Sequence, residues 1–262
     1  MAAPEQTNAL TRGEPGGALV WQVAFGILLL IVWELAGRFI SPTWIGQPSL
    51  IGLRLVEWSS GDLIWHVATT LGEMLIGMAI GIPAGVLCGM WLGRSPVASN
   101  LLRPLVVALY SVPLVTLAPL LILWFGLDME PKIVLVSVVV FFMLFFNTFA
   151  GVQTMDKDLV LSLQLMGANP REQFQKLIAP ACIAWILSGM KNALPYALVA
   201  ATVGEMLAAR RGLGYLIARA SSQFDMNGLY TALFVLMVLG MLIGEGMVFL
   251  ERFMLRWRHA AE

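Results

Sequence analysis

Runs of apolar residues near 17–40, 66–93, 101–126, 132–152, 184–208 and 229–250 constrain this chain more than any motif. A helix rises about 1.5 Å per residue and a bilayer's hydrocarbon core is roughly 30 Å thick, so each run is long enough to cross it. The composition excludes a soluble domain of this length: 59% hydrophobic residues, 12% charged, nine Trp and a mean hydropathy of +0.82. The expected fold is an all-α integral membrane protein with six transmembrane helices, which leaves both termini on one side.

The first sixteen residues carry Glu5, Arg12 and Glu14 without the basic flank and short apolar core of a secretory signal, so the first run is expected to stay as an anchor. The expected division is a tail over 1–16, the first transmembrane helix and an outer loop over 17–60, the main helical domain over 61–252, and a tail over 253–262. With the N-terminus cytoplasmic, Arg12, Arg94, Arg103, Lys157, Arg171, Lys176, Arg252, Arg256 and Arg258 lie inside, against Arg38, Arg54, Lys132, Arg210, Arg211 and Arg219 outside. That asymmetry favours cytoplasmic termini. Lys191 falls within the fifth run, and the C-terminal tail ERFMLRWRH reads as an interfacial anchor with Trp257 at the headgroups.

Inside the second run, Gly77, Gly81, Gly85, Gly89 and Gly93 recur every four residues and so line one slowly drifting helix face. Such a groove lets another helix approach backbone to backbone, either from the same chain or from a second copy. Pro83 within it is expected to kink the helix. Pro104, Pro113 and Pro119 predict a broken third run, and broken helices inside a bundle often line a pathway. Tyr110, Ser111, Asn192 and Tyr196, polar residues placed beside expected breaks in the third and fifth runs, are the pathway candidates.

Few residues offer chemistry. Cys88 and Cys182 have no metal or redox spacing and read as packing residues, and His66 and His259 supply no ligand set. No GxxxxGK[ST] phosphate loop occurs, so this chain is not expected to be an enzyme or to carry a metal or cofactor. Ionisable residues within apolar runs are functional candidates because desolvation makes them costly. Here they are Glu73, Lys191, Glu205 and Glu245. Lys191 and Glu205 stand fourteen residues and about 21 Å apart on one helix, too far to pair, so Glu205 is expected in the headgroup zone or beside Arg210 or Arg211.

One long polar interruption remains, from about Gln153 to Ile183. Asn169 is a helix cap, Pro170 suits the first helical position, and Glu172 stands where a capping-box acid reaches back. A short helix is expected from Pro170 to about Ile178, with Phe174, Leu177 and Ile178 as its apolar stripe. The pattern is compatible with a helix lying on the lipid and with one that docks on a soluble partner.

The run Leu161–Pro180 resembles the cytoplasmic "EAA" loop of permease subunits in binding-protein-dependent ABC importers. Gly167 and Pro180 match its spacing and Leu177 takes its isoleucine position; Ala179 replaces its leucine, and Leu161-Ser162-Leu163 replaces Glu-Ala-Ala, so the acid is missing. LAPLLILWFGLDMEPKI, FFNTFAGVQTMDKDL, VGEML and RRGLGYLI are similar to the nitrate/sulfonate/taurine branch, over roughly Trp65–Arg256.

The resemblance implies a type I permease fold in the bacterial inner membrane. It also implies a homodimer with two cytoplasmic ATPases that carry the ATP and Mg, and an extracytoplasmic substrate-binding protein. By position, ATPase docking falls to Gly167, Ala168, Asn169, Pro170, Arg171, Glu172, Gln173 and Phe174. The solute it implies is small and anionic, with sulfonates, taurine, nitrate, aromatic acids and pyrimidine precursors of thiamine all within the family's range. The alternative from another class is an ion-coupled secondary transporter that uses Glu73, Glu205 or Glu245 and works without ATP.

Overall fold

A computed structural model of the chain describes residues 15–41, 44–154 and 157–254. Most of both tails, with Arg256, Trp257, Arg258 and His259, lies outside the described residues.

The described residues are predominantly helical and include no strand. Five helices are long and apolar enough to cross a membrane: α1 (Pro15–Phe39), α3 (Leu63–Arg94), α6 (Glu130–Gln153), α9 (Ala179–Ala208) and α11 (Met226–Met254). A sixth crossing is the broken pair α4 (Pro96–Tyr110) and α5 (Ala118–Phe125), bent by 76°. The break sits at Pro113, followed by one tight 3₁₀ turn over Leu114–Leu117, whereas Pro104 is tolerated inside α4. Shorter helices α2 (Pro48–Ser59), α7 (Lys157–Leu165), α8 (Pro170–Gln173) and α10 (Leu213–Ser222) occupy the connections.

α6 is the centre of the bundle. Leu135, Val136, Val140, Leu144 and Phe145 are almost wholly buried between α3 on one side and α9 on the other. The glycine series of α3 faces α6 of the same chain, which answers which helix fills the groove. A Cβ at Gly81 would stand 2.5 Å from the Ser137 carbonyl, and one at Gly85 would stand 2.5 Å from that of Phe141. Gly77 and Gly93 meet Val136 and Val152, and Gly89 meets Phe145. The ladder therefore exists because these two backbones touch along about four and a half turns, and dispersion over that length replaces the hydrophobic drive that lipid does not supply.

α1 stands mostly outside this core with its apolar side chains exposed to the surroundings. It is tied in at one end, where Glu34 accepts from the Ser49 N–H (3.0 Å) and Ser49 hydroxyl (2.8 Å) at the start of α2 while pairing with Arg38 at 2.6 Å. A carboxyl from α1 thus satisfies an orphan donor at the N-terminus of α2.

Two expectations need correction. The fifth run has no break, because α9 continues as one helix through Pro195, so Asn192 and Tyr196 lie on an uninterrupted helix. Pro83 lies inside α3, which runs on as one helix through it. The short helix does not end at Ile178. One α-turn over Pro170–Gln173 passes into a wide π segment over Phe174–Ile178 and then directly into α9. Pro180 lacks an N–H and so leaves the Lys176 carbonyl without its usual partner, which accounts for the widened ladder just ahead of it.

Candidate functional site

The polar loop is built from two consecutive helix-end devices. α7 stops in a Schellman arrangement: Gly167 N–H donates to Gln164 O (2.9 Å) and Ala168 N–H to Leu163 O (3.0 Å). Gly167 has φ +81°, the left-handed conformation that a side chain disfavours. Two residues later the capping box closes. The Glu172 N–H donates to Asn169 Oδ1 (2.9 Å) and the Asn169 N–H donates to Glu172 Oε2 (3.1 Å). Gln173 adds a bond from Nε2 to the Ala168 carbonyl (2.8 Å), and Lys176 pairs with Glu172 at 3.4 Å. A stop, a turn and a start within seven residues fix the angle between α7 and the helix that leads into α9.

The Asn169 N–H, then Lys176, hold the Glu172 carboxyl below the usual glutamate range. A lowered carboxyl pKa contributes stability above the unfolded value of about 4.3 and loses it as pH falls through the folded value. Corrected for the intrinsic exchange rate, protection of the Asn169 amide should therefore be greater at neutral pH than in acid below the unfolded value of about 4.3.

Leu161, at the position of the missing acid, stands 55% exposed on α7, and Leu165 one turn on is 85% exposed. This end of the loop presents apolar surface where the family pattern has a charge. Arg171, in the first turn of α8, is exposed.

The four pathway candidates do not converge. Tyr110 packs its ring on Phe142 and Phe146, and the Ser111 hydroxyl bonds back to Val107 O at 2.9 Å, so both are occupied at the bend after α4. Asn192 and Tyr196 lie one turn apart on an exposed face of α9. Lys191 reaches Glu251 of α11 at 3.2 Å, and Glu245 is exposed on α11.

What the bundle does bring together lies at the opposite end from the polar loop, where α3 and α6 begin and α9 ends. Lys132, counted above among outer-loop charges, is only 5% exposed, and its ammonium lies 3.4 Å from Glu73, which is 0% exposed. Glu205 is not paired with Arg210 or Arg211. Its Oε1 accepts from the Thr70 hydroxyl (2.7 Å) and its Oε2 from the Gly214 N–H (2.6 Å).

The Thr70 oxygen in turn accepts from the Leu213 N–H (2.9 Å), and His66 Nδ1, in the tautomer protonated at Nε2, accepts from the Gly212 N–H (3.0 Å). Three successive donors at the start of α10 are thereby satisfied by side chains of α3 and α9. The stretch RRGLGYLI carries its two glycines for this reason. Gly212 has φ +120°, and a Cβ on either glycine would collide with Glu205 or, at Gly214, with the Thr202 carbonyl.

A cavity of about 820 Å³ opens beside this cluster. Glu73, Lys132 and Glu205 line it, together with Asp128, Tyr215 and, on the α9–α10 connection and α10, Arg210, Arg211 and Arg219. Among the described residues those three arginines form no ion pair. Neither oxygen of Glu73 receives a hydrogen bond of acceptable geometry, its Lys132 contact being an ion pair only.

Residues 81–255 match the family described as binding-protein-dependent transport system inner membrane component. The chain is similar to the formylaminopyrimidine transport permease protein of Halalkalibacterium halodurans, 32% identical with 89% of this chain and 94% of that one covered. It is also similar to the putative aliphatic sulfonates transport permease protein of Escherichia coli, 32% identical with 92% of each chain covered. Among solved structures, an inward-facing conformation of the MetNI methionine ABC transporter superposes with a TM-score of 0.59 at 19% identity, covering 73% of this chain and 97% of that one. That likeness shows the fold.

Proposed function

The chain belongs to the family of binding-protein-dependent inner membrane components, and from that premise we propose that it carries a small anionic solute through a homodimeric importer driven by a separate ATPase. It is a membrane-spanning permease subunit of an ABC importer with the type I fold. The proposed assembly pairs two copies with two cytoplasmic ATPases, which hold the ATP and Mg, and with an extracytoplasmic substrate-binding protein; both termini are cytoplasmic.

The observation that carries the coupling half is the loop. Gly167–Phe174 is a capped, angle-fixed corner continuous with α9, so a push on it is transmitted along a single helix rather than absorbed in a flexible joint. α9 ends, about 45 Å away by its thirty residues, at the Glu205 cluster. Closure of the ATPase pair would bias two arrangements of the spans through this connection. The solute half is supported by the unpaired arginines at the cavity's mouth and by the sulfonate named for one relative. Nothing in the geometry favours ion coupling without ATP.

Co-purification of the chain with its ATPase tests the coupling. Asn169→Ala removes a cap worth about 1 kcal/mol, and Phe174→Ala removes the aromatic expected to anchor the contact. Each should weaken ATPase association several-fold while membrane insertion stays intact. With apolar Leu161 in place of the acid, association should also change little between low and high salt. Ion-coupled uptake by the isolated chain would overturn the proposal.

A further inference from the structure

His66 holds a place that neither the coupling loop nor the buried ion pair uses. It stands in the first turn of α3, partly buried, with its ring stacked on Tyr215 of α10 at 5.9 Å between centroids and 8° between planes. Its Nδ1 faces two groups of a single residue, 3.0 Å from the Gly212 nitrogen and 3.2 Å from the Gly212 carbonyl oxygen. A neutral imidazole with its proton on Nε2 accepts at Nδ1, whereas the imidazolium can only donate there. One atom therefore bonds the Gly212 N–H in one protonation state and the Gly212 carbonyl in the other.

We propose that His66 is a pH-sensitive latch on α10: when neutral it holds the start of that helix against α3, and when protonated it releases the Gly212 N–H and loosens the lip of the cavity. Arg210 and Arg211 on the α9–α10 connection, with Tyr215 and Arg219 on α10, form that lip. The inference goes beyond the transport reading and holds whichever side of the membrane this end faces.

Release follows from what surrounds Gly212. The residue is buried, so its N–H finds no replacement acceptor in bulk water, and an unmet buried donor is costly. The carbonyl to which the cation turns already accepts from the Leu216 N–H (3.2 Å), so the exchange competes with the first bond of α10. Gly212, at φ +120°, is a point where the backbone can swing. Leu213 and Gly214 keep their bonds to Thr70 and Glu205, which centres the change on the connection rather than on the whole helix.

The charges facing the ring come from each neighbouring element. Asp62, at the start of α3, favours the cation, while Arg211 on the connection and Arg219 on α10 oppose it. α9 contributes Glu205, which is one hydrogen bond removed through the Thr70 hydroxyl. An imidazolium would be a third cation beside two arginines that form no ion pair among the described residues. Their repulsion acts in the same direction as the lost bond.

Amide exchange in the full chain, held in lipid nanodiscs and isotope-labelled at its glycine and histidine nitrogens, tests the latch once rates are corrected for intrinsic pH dependence. Protection of the Gly212 amide is expected to fall at least about tenfold from about pH 8 to about pH 5, a range that spans the ordinary histidine value of about 6.5. The Gly228 amide, which donates to an Asp225 carboxyl oxygen (2.9 Å), is the reference and should change less than about threefold. His66→Asn offers a neutral acceptor, Oδ1, at the same remove from the backbone as Nδ1, and should hold Gly212 protection within about threefold over the same range. A second measurement needs no variant: the nitrogen shifts of the His66 ring should titrate with the midpoint at which Gly212 protection falls. An unchanged Gly212 amide, or midpoints more than about one pH unit apart, would overturn the proposal. So would a fall that persists in His66→Asn, which would assign the effect to a carboxyl such as Asp62 or Glu205 instead.

Discussion

Lys132→Met is expected to be among the most damaging changes of a charged residue in the chain. It removes the ammonium that faces Glu73 and leaves two wholly buried carboxyls, Glu73 and Glu205, on neighbouring helices with no cation among them. Breaking a buried ion pair from one side typically costs about 3–5 kcal/mol. Removing both partners often costs little, since desolvation of the pair offsets most of its Coulombic gain. Glu73→Gln/Lys132→Met should therefore recover most of the stability that Lys132→Met loses. Thermal unfolding of the two variants and the unsubstituted chain in detergent, followed by monodispersity, gives the comparison. If the double variant were as unstable as the single one, the ammonium of Lys132 would be acting through something other than its pairing with Glu73.

This pair also marks where sequence reasoning ran out. Hydropathy put Lys132 at the edge of an apolar run, beside Pro131, where a lysine that opens a loop and one that enters a bundle look the same. Burial is decided by which helices converge, and no periodicity within α6 carries that. One signal was available: two acids and one base stand at the same end of three long spans, α3, α6 and α9, a charge set that lipid would not tolerate apart. Glu205 was misassigned for a related reason. Its partners are a threonine 135 positions away and a backbone N–H of α10, neither of which is charged.

Local physics, by contrast, was legible. The Asn169–Glu172 box needs only a spacing of three residues, and the bend of the third span needs only Pro113 with no donor. The expected break in the fifth run is absent because a long helix packed on neighbours absorbs the bond missing at Pro195. The π segment is intermediate: Pro180 was visible, but whether the freed carbonyls open a break or widen the ladder depends on how α9 is held by α6.

The α3–α6 contact supplies the second large effect, and it tests whether the glycine ladder is a packing device. Gly85→Ala would place a methyl 2.5 Å from the Phe141 carbonyl and 2.9 Å from Leu144 Cβ. Both neighbours belong to the helix at the centre of the bundle, so neither gives way as the end of a flexible side chain would. Overpacking of this kind costs about 1–3 kcal/mol for one methyl group. Gly81→Ala meets the Ser137 carbonyl one turn earlier, and the two sites share one rigid interface. The helices can separate once for both, so Gly81→Ala/Gly85→Ala should cost less than the sum of the single changes. Gly85→Leu cannot be met by any such shift and should abolish monodisperse protein. Gly72 on the same helix, where an added Cβ meets nothing within 4 Å, is the control: Gly72→Ala should be neutral or slightly stabilising, because alanine holds a helix better by about 1 kcal/mol. Equal tolerance of alanine at Gly72 and Gly85 would mean that α3 and α6 are not in backbone contact, and with that contact gone Glu73 and Lys132 could not meet at the end of the same interface.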